Sequence, residues 1–377
     1  MNPYFYFEII YTSKKSRARV GRIHTPHGVI DTPGFVAVGT NGTLKALDNV
    51  LLSQLNQQLM FCNTYHMILH PGPDVVAQAG GLHKFINRNQ PIITDSGGFQ
   101  VFSLAYGGVA SELKSKGQKD QKNAIAKITE NGVTFRSYRD GSLIELTPES
   151  SVDAQKKLGA DIIIPFDELP PYHIDQRALK RSLDRTHRWE KRSLDKHLED
   201  KKNQAMYAVI HGGINKLFRK ESCEVLTKLD FDGFAIGGSV GKNREEMIEM
   251  LKFTLPLLPE NKPNHLLGIA DVPSIEAIVP LGVDTFDSSH PTKIARHGHL
   301  LTSKGTKKIA QAQWKYDFSP IDANCACYTC QNYSISYVHH LFKAHEATAH
   351  TLASIHNIFY MNKLMAEYRE KIISGDL

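Results

Sequence analysis

The chain of 377 residues has five cysteines and two tryptophans, and no apolar run in it approaches the roughly 20 residues that cross a bilayer. So little cysteine, odd in number, excludes a disulfide framework. Three of the five crowd into Cys325, Cys327 and Cys330, which fits a reducing, cytoplasmic setting with a metal site better. The opening residues, MNPYFYFEIIYTSKKSRARV, carry a glutamate inside their apolar stretch and no basic region before it, so they do not read as a secretory leader. Two signatures of common enzyme classes are also missing: a Walker-type phosphate loop and the G-x-S-x-G elbow of the α/β-hydrolases.

The bulk of what is present is ordinary. Hydrophobic residues make up 41% and charged residues 22%, enough for a sizeable core. A formal net charge of +6, with 18 histidines besides, leans mildly toward a polyanionic partner such as nucleic acid.

One pattern recurs along the chain: a short apolar run, a loop, then a longer amphipathic or charged stretch. The runs are GFVAVG from Gly34, LMFCN from Leu59, PIITD from Pro91, ADIIIPFDE from Ala160, AMYAVIHGG from Ala205, DGFAIGG from Asp232, NHLLGIA from Asn264 and VDTFDS from Val283. They are aliphatic without strict alternation, as parallel strands covered on both faces must be. Helical spacing fills intervals such as Gln176–Lys202, Lys216–Leu229 and Arg244–Leu257. The pattern predicts an α/β fold, a (β/α)₈ TIM barrel, with an open doubly wound sheet as the alternative. The first thirty residues and Gly132–Leu146 read as antiparallel hairpins decorating it. The lysine-rich LKSKGQKDQKNAIAK, Leu113–Lys127, reads as a solvated loop in preference to a nucleic-acid contact. After Thr302 the alternation stops, which divides the chain into a barrel over residues 1–302 and a separate metal-binding unit over 303–377.

CACYTC places Cys325, Cys327 and Cys330 where three thiolates can converge on one ion, and a fourth ligand must close the tetrahedron. His339, His340, His345, His350 and His356 follow, and spacing alone does not choose between His345 and His356. Three sulfurs and one nitrogen leave no open position, so the zinc expected here is structural.

Chemistry in such a barrel sits at the C-terminal ends of the strands. Asp95 in TDSGGFQ, Asp167 in PFDELP and Asp287 in TFDSSHP all fall there, as do the glycine pairs Gly97–Gly98, Gly212–Gly213 and Gly237–Gly238. Burial can separate the pKa values of paired acids, and paired glycines let backbone N–H groups approach a planar ligand. The fifteen residues TFDSSHPTKIARHGH, with an acid and three histidines, invite a metal reading as well, but His290, His297 and His299 lack a cysteine or acid at ligand spacing.

Five ordered motifs, DSGGFQVFSL, GVTFRSYRDGS, FAIGG, FDSSHPTKIARHGH and CACYTC with a later HN, closely resemble the tRNA-guanine transglycosylases over nearly the whole chain. The resemblance implies a barrel with a structural zinc unit, usually a homodimer, that exchanges the wobble guanine of tRNAs with a GUN anticodon (Asp, Asn, His, Tyr) for a 7-deazaguanine. It implies Asp287 as the nucleophile and Asp95 as the general acid/base. Asp167 and Gly238 match the groups that hold the guanine edge, Phe99 and Leu267 those that sandwich the base, and Asn63 a ribose contact. Lys293 and Arg296 match residues that hold neighbouring bases of the anticodon. It also settles His356 as the fourth zinc ligand.

Four pocket positions depart from the bacterial pattern. His211 stands for a glutamine, Leu169 for a cysteine, Phe99 for a tyrosine, and the loop GGSVGKN, from Gly237 to Asn243, is one residue shorter. A shorter wall facing the deazaguanine substituent is expected to admit queuine, a bulkier base than 7-aminomethyl-7-deazaguanine. The competing reading is a non-catalytic tRNA-binding accessory subunit, which has no need of both Asp95 and Asp287. A zinc-dependent barrel hydrolase would place metal ligands at the strand ends, whereas the cysteines lie past the barrel.

Overall fold

The computed structural model describes residues 4–100 and 125–377, with Ser103, Leu113, Lys114 and Lys116 between them. Most of the lysine-rich segment Leu113–Lys127 lies outside the described residues.

Three antiparallel strands, β1 (Tyr6–Thr12), β2 (Arg19–Thr25) and β3 (Gly28–Thr32), lead into the barrel strands β4 (Gly34–Val38), β5 (Met60–Cys62) and β6 (Ile92–Thr94). A second antiparallel sheet follows, β7 (Ile125–Ile128), β8 (Val133–Arg136) and β9 (Leu143–Leu146). The barrel resumes with β10 (Ile162–Ile163), β11 (Ala205–Ile210), β12 (Gly233–Ile236), β13 (Asn264–Leu266) and β14 (Thr285–Ser288). These eight strands run parallel, and β14 pairs with β4 to close the cylinder. All eight expected runs are strands of one closed barrel, so the open-sheet alternative is set aside.

The two-sided burial that makes these strands continuously apolar is visible in β11. Ala205, Tyr207 and Val209 join the cluster with Val36, Ile93 and Ile162, while Met206, Ala208 and Ile210 join the cluster shared with the surrounding helices. Phe5, Ile23 and Ile30 of the N-terminal segment belong to the first of these clusters, so β1–β3 plug one mouth of the barrel. Arg19 of β2 anchors the plug: its guanidinium meets Asp284 at 2.6 Å, and Asp284 also accepts the Asn264 amide. The opposite mouth, at the strand C-termini, carries the predicted site residues.

The helices begin where their caps allow. Asp175 accepts from the Ala178 amide to start Gln176–Glu199, which buries Leu179, Leu183, Trp189 and Leu194 against the barrel. Beyond β14, the hairpin β15 (His299–Thr302) and β16 (Gly305–Lys308) leads to Tyr328–Asn332, Ile335–Lys343 and the 28-residue helix Ala347–Ser374. That last helix belongs to two cores. Ala349, Leu352 and Ala353 pack among the cysteines, whereas Met361, Met365 and Ile372 pack on the barrel.

At the plugged mouth, buried Asp161 accepts the Ile92 amide at 2.8 Å and His27 Nδ1 at 2.7 Å, and His83 Nε2 lies 3.1 Å away. Burial alone would raise this carboxyl, but His27 and His83 outweigh it and hold it well below the usual range. The bond to Asp161 in turn raises His27. Asp161 therefore stabilises the fold above the unfolded carboxyl pKa and loses that contribution as pH falls through its lowered value. His27 contributes below its unfolded pKa and loses it as pH rises through its raised one. Asp161→Ala is expected to cost about 3 kcal/mol of unfolding free energy, with the gap from wild type widest at mildly acidic pH, as thermal melts across pH would read.

Candidate active site and metal cluster

Asp95 follows β6 directly and is held by three donors. Asn63 Nδ2 at 2.7 Å and Gln100 Nε2 at 2.9 Å reach one oxygen, and the Thr64 amide at 2.7 Å reaches the other. Burial dominates these bonds and pushes its pKa up to about 6, with nearby Asp167 adding a little. A carboxyl poised there holds a proton part of the time near neutral pH, as an acid that must also act as a base requires.

Asp167 follows β10 and accepts from Ser96 Oγ at 2.9 Å and meets His211 Nε2 at 2.8 Å. The chain passes so close that a Cβ on Gly98 would lie 2.5 Å from the Asp167 carbonyl oxygen. Gly238 has a φ of +72°, and a Cβ there would sit 2.9 Å from His211 Nδ1, so neither position tolerates a side chain. The Gly212–Gly213 and Gly237–Gly238 turns are pinned from behind by Arg219, whose buried guanidinium donates to the carbonyls of Gly213, Ile210 and Gly237. Leu267 lies against Gly237, and Phe99 is half exposed after β6.

Asp287, in β14, is 6% exposed and is held through one oxygen. Oδ1 accepts from the Gly268 amide at 2.9 Å and faces His265 Nε2 at 3.0 Å. Lys293 and Arg296 lie on the next helix, His290–Arg296, Lys293 exposed and Arg296 with a buried Nη1 that has no hydrogen-bond partner among the described residues. Asp95 with Asn63, and Asp167 with His211, are thus brought into direct contact. Lys293 and Arg296 stand apart from both pairs, and sequence reasoning missed Gln100, Arg219 and His265.

His356 Nδ1 lies 3.7, 3.5 and 3.3 Å from the sulfurs of Cys325, Cys327 and Cys330. Zinc at about 2.3 Å from sulfur and 2.0 Å from nitrogen, at a tetrahedral angle, puts S and N about 3.5 Å apart, so the four donors fit one such ion. His356 Nε2 bonds the Leu301 carbonyl at 2.6 Å, which keeps the proton there and frees Nδ1 as the ligand atom. His345, the alternative left open by spacing, is exposed past the end of the preceding helix. Among the described residues two other groups bring three donors together, and neither suits a metal. The rings of His27 and His83 are stacked 3.5 Å apart and nearly parallel, so no single point lies in both ring planes. Among Asp184, His187 and Glu221, the Lys180 ammonium already bridges the two carboxylates. His290, His297 and His299 join no such group among the described residues.

Three carboxylates, one of them raised by burial, thus gather at the open mouth of a closed (β/α)₈ barrel with a Cys₃His cluster beyond it, and the chain is a pentosyltransferase. The chain belongs to the queuine tRNA-ribosyltransferase family, whose model matches residues 13–377. It is 66% identical to the queuine tRNA-ribosyltransferase of Protochlamydia amoebophila, over 98% of this chain and 95% of the relative. The relatives of the same name from Chlamydia felis and Chlamydia muridarum are 55% and 56% identical, each over 98% of this chain and 99% of their own. Among the described residues no helix is long and apolar enough to cross a membrane.

Proposed function

We propose that this enzyme replaces the wobble guanine of GUN-anticodon tRNAs (Asp, Asn, His, Tyr) with a 7-deazaguanine through a covalent Asp287–ribosyl intermediate, in the cytoplasm. The observation that carries this reading is the contrast between two carboxyls at one barrel mouth. Both are buried, but Asp95 is held by three donors across its two oxygens and raised to about 6, whereas Asp287 is anchored, among the described residues, through Oδ1 alone. In the first displacement Asp287 Oδ2 bonds to ribose C1′ as the C1′–N9 bond breaks, and its electron pair leaves on guanine, which takes a proton from Asp95. In the second, Asp95 removes a proton from the incoming base, whose nitrogen attacks C1′ and expels Asp287. Two inversions retain the configuration at C1′.

The base must leave its stack to reach this mouth. Asp167, Gly238 and His211 are assigned to its polar edge, Phe99 and Leu267 to its faces. Asn63 spends its amide on Asp95 and keeps its Oδ1 for a ribose hydroxyl. Lys293 and Arg296 are assigned to the neighbouring anticodon nucleotides. Cys325, Cys327, Cys330 and His356 would hold one zinc ion, which supplies no reaction chemistry and fixes the C-terminal fold. A homodimer is supported by the exposed aromatic residues of that unit, Tyr316 and Phe318 at 76% and 77% and also Tyr328 and Tyr337.

The protonated fraction of Asp95 sets guanine release. Single-turnover formation of the tRNA adduct is expected to fall about tenfold per pH unit above the group's pKa, and Asp95→Asn is expected to abolish that slope along with most of the rate. The short Gly237–Asn243 loop favours queuine as the incoming base. Side-by-side incorporation assays with queuine and 7-aminomethyl-7-deazaguanine test this: a clear preference for the smaller base rejects it.

A further inference from the structure

A carboxylate that attacks a sugar carbon needs one oxygen held and the other bare. Asp287 has that arrangement. Oδ1 has two neighbours that can donate, the Gly268 amide at 2.9 Å and His265 Nε2 at 3.0 Å, and no protein group among the described residues donates to Oδ2. Gly268, at a φ of +76° that favours glycine, supplies a backbone donor with no side chain behind it. His265 supplies one that depends on its identity and on which ring nitrogen carries the proton.

His265 sits in the middle of β13 with none of its surface exposed. Its Nδ1 is 2.9 Å from Thr285 Oγ1, on the adjacent strand β14 two residues before Asp287. A carboxylate only accepts, so Nε2 must carry a proton. With a neutral ring, Nδ1 then accepts from the Thr285 hydroxyl. In a doubly protonated ring that hydroxyl would have to turn to the Asn264 carbonyl, 3.3 Å away, a longer contact than the one to Nδ1. The shorter contact favours the tautomer with its proton on Nε2 and its Nδ1 accepting. A neutral donor orients the carboxylate without discharging it.

We infer that His265 is a positioning residue for the nucleophile, set in its tautomer by Thr285, and that it acts in both displacements. Before attack it turns Oδ2 toward C1′. In the ribosyl ester Oδ1 is the carbonyl oxygen, and the same donor stabilises the charge that returns to the carboxylate as the incoming base attacks. This rests on the reading of Asp287 as the nucleophile.

The experiment compares His265→Gln, His265→Leu, Thr285→Val and Asp287→Ala with wild type. It measures exchange of labelled guanine into a GUN-anticodon tRNA as kcat and KM for tRNA, with the melting temperature of each variant recorded. Glutamine keeps an N–H donor near the position of Nε2, and leucine fills similar space without one. His265→Leu is expected to lower kcat by roughly 30–100-fold with KM within about threefold, and His265→Gln to recover at least about fivefold of that loss. Thr285→Val is expected to lower kcat by roughly 5–20-fold, through loss of the tautomer lock. Equal activity of His265→Leu and His265→Gln, or a loss confined to KM, would overturn the inference. If neither His265 variant folds, Thr285→Val decides, and an unchanged kcat there overturns it. Retained exchange by Asp287→Ala instead removes the reading beneath it, an outcome distinct from an inactive Asp287→Ala beside a fully active His265→Leu.

Discussion

Asp287→Ala is expected to reduce incorporation of labelled guanine into GUN-anticodon tRNA by at least roughly 10³-fold, because no other carboxylate takes over a nucleophile's place in a covalent displacement. The substitution also leaves the Gly268 amide and His265 without their shared acceptor, at about 1–3 kcal/mol for the fully buried His265. Asp287→Asn belongs beside it, since the amide oxygen keeps an acceptor at Oδ1 and removes only the nucleophilic charge. Both variants are expected to bind tRNA nearly as wild type does, because Lys293 and Arg296, the proposed anticodon contacts, lie on a separate helix. A weakened Kd with unchanged turnover would place Asp287 in binding. Equal incorporation by wild type and Asp287→Ala would remove it from the mechanism.

The second large effect is expected from the Cys₃His cluster. Loss of one thiolate, as in Cys330→Ser, or stripping by a strong chelator, removes metal-ligand free energy on the order of 10 kcal/mol from the C-terminal unit. The damage is expected to spread. Asn357, next to His356 on the same helix, donates to the carbonyls of Pro291 and His299 and accepts from the Leu301 amide. These contacts hold the segment that carries Lys293 and Arg296. Metal loss is therefore expected to lower the melting temperature by more than about 10 °C and to raise KM for tRNA. A chelated protein that keeps its melting temperature and zinc-free activity would show that the cluster is not a metal site.

The barrel was legible because parallel strands covered on both faces must be apolar throughout, and each expected run contains one barrel strand. Strand length was less legible. In ADIIIPFDE only Ile162 and Ile163 pair, because the chain then leaves the sheet to deliver Asp167 to the open mouth. Asp95, Asp167 and Asp287 stood out as acids closing apolar runs. His265 carried the opposite signal, a polar ring inside the run NHLLGIA, where an uncharged core would place an aliphatic residue. Arg219 had no local signal at all, since its role arises only when helix Lys216–Leu226 brings it under the carbonyls of Ile210, ending β11, and Gly237, just past β12. Spacing could not separate His345 from His356, because the choice depends on how the helix Ala347–Ser374 returns across the cysteines.

The central claim is a covalent bond between Asp287 and the tRNA ribose. Wild-type enzyme, mixed with GUN-anticodon tRNA, denatured before an incoming base is supplied, then digested and analysed by mass spectrometry, tests it most directly. A nucleotide adduct is expected on the peptide containing Asp287, absent from Asp287→Ala and discharged by adding a 7-deazaguanine to the native complex. An adduct on Asp95, or base exchange with no adduct at any carboxylate, would contradict it.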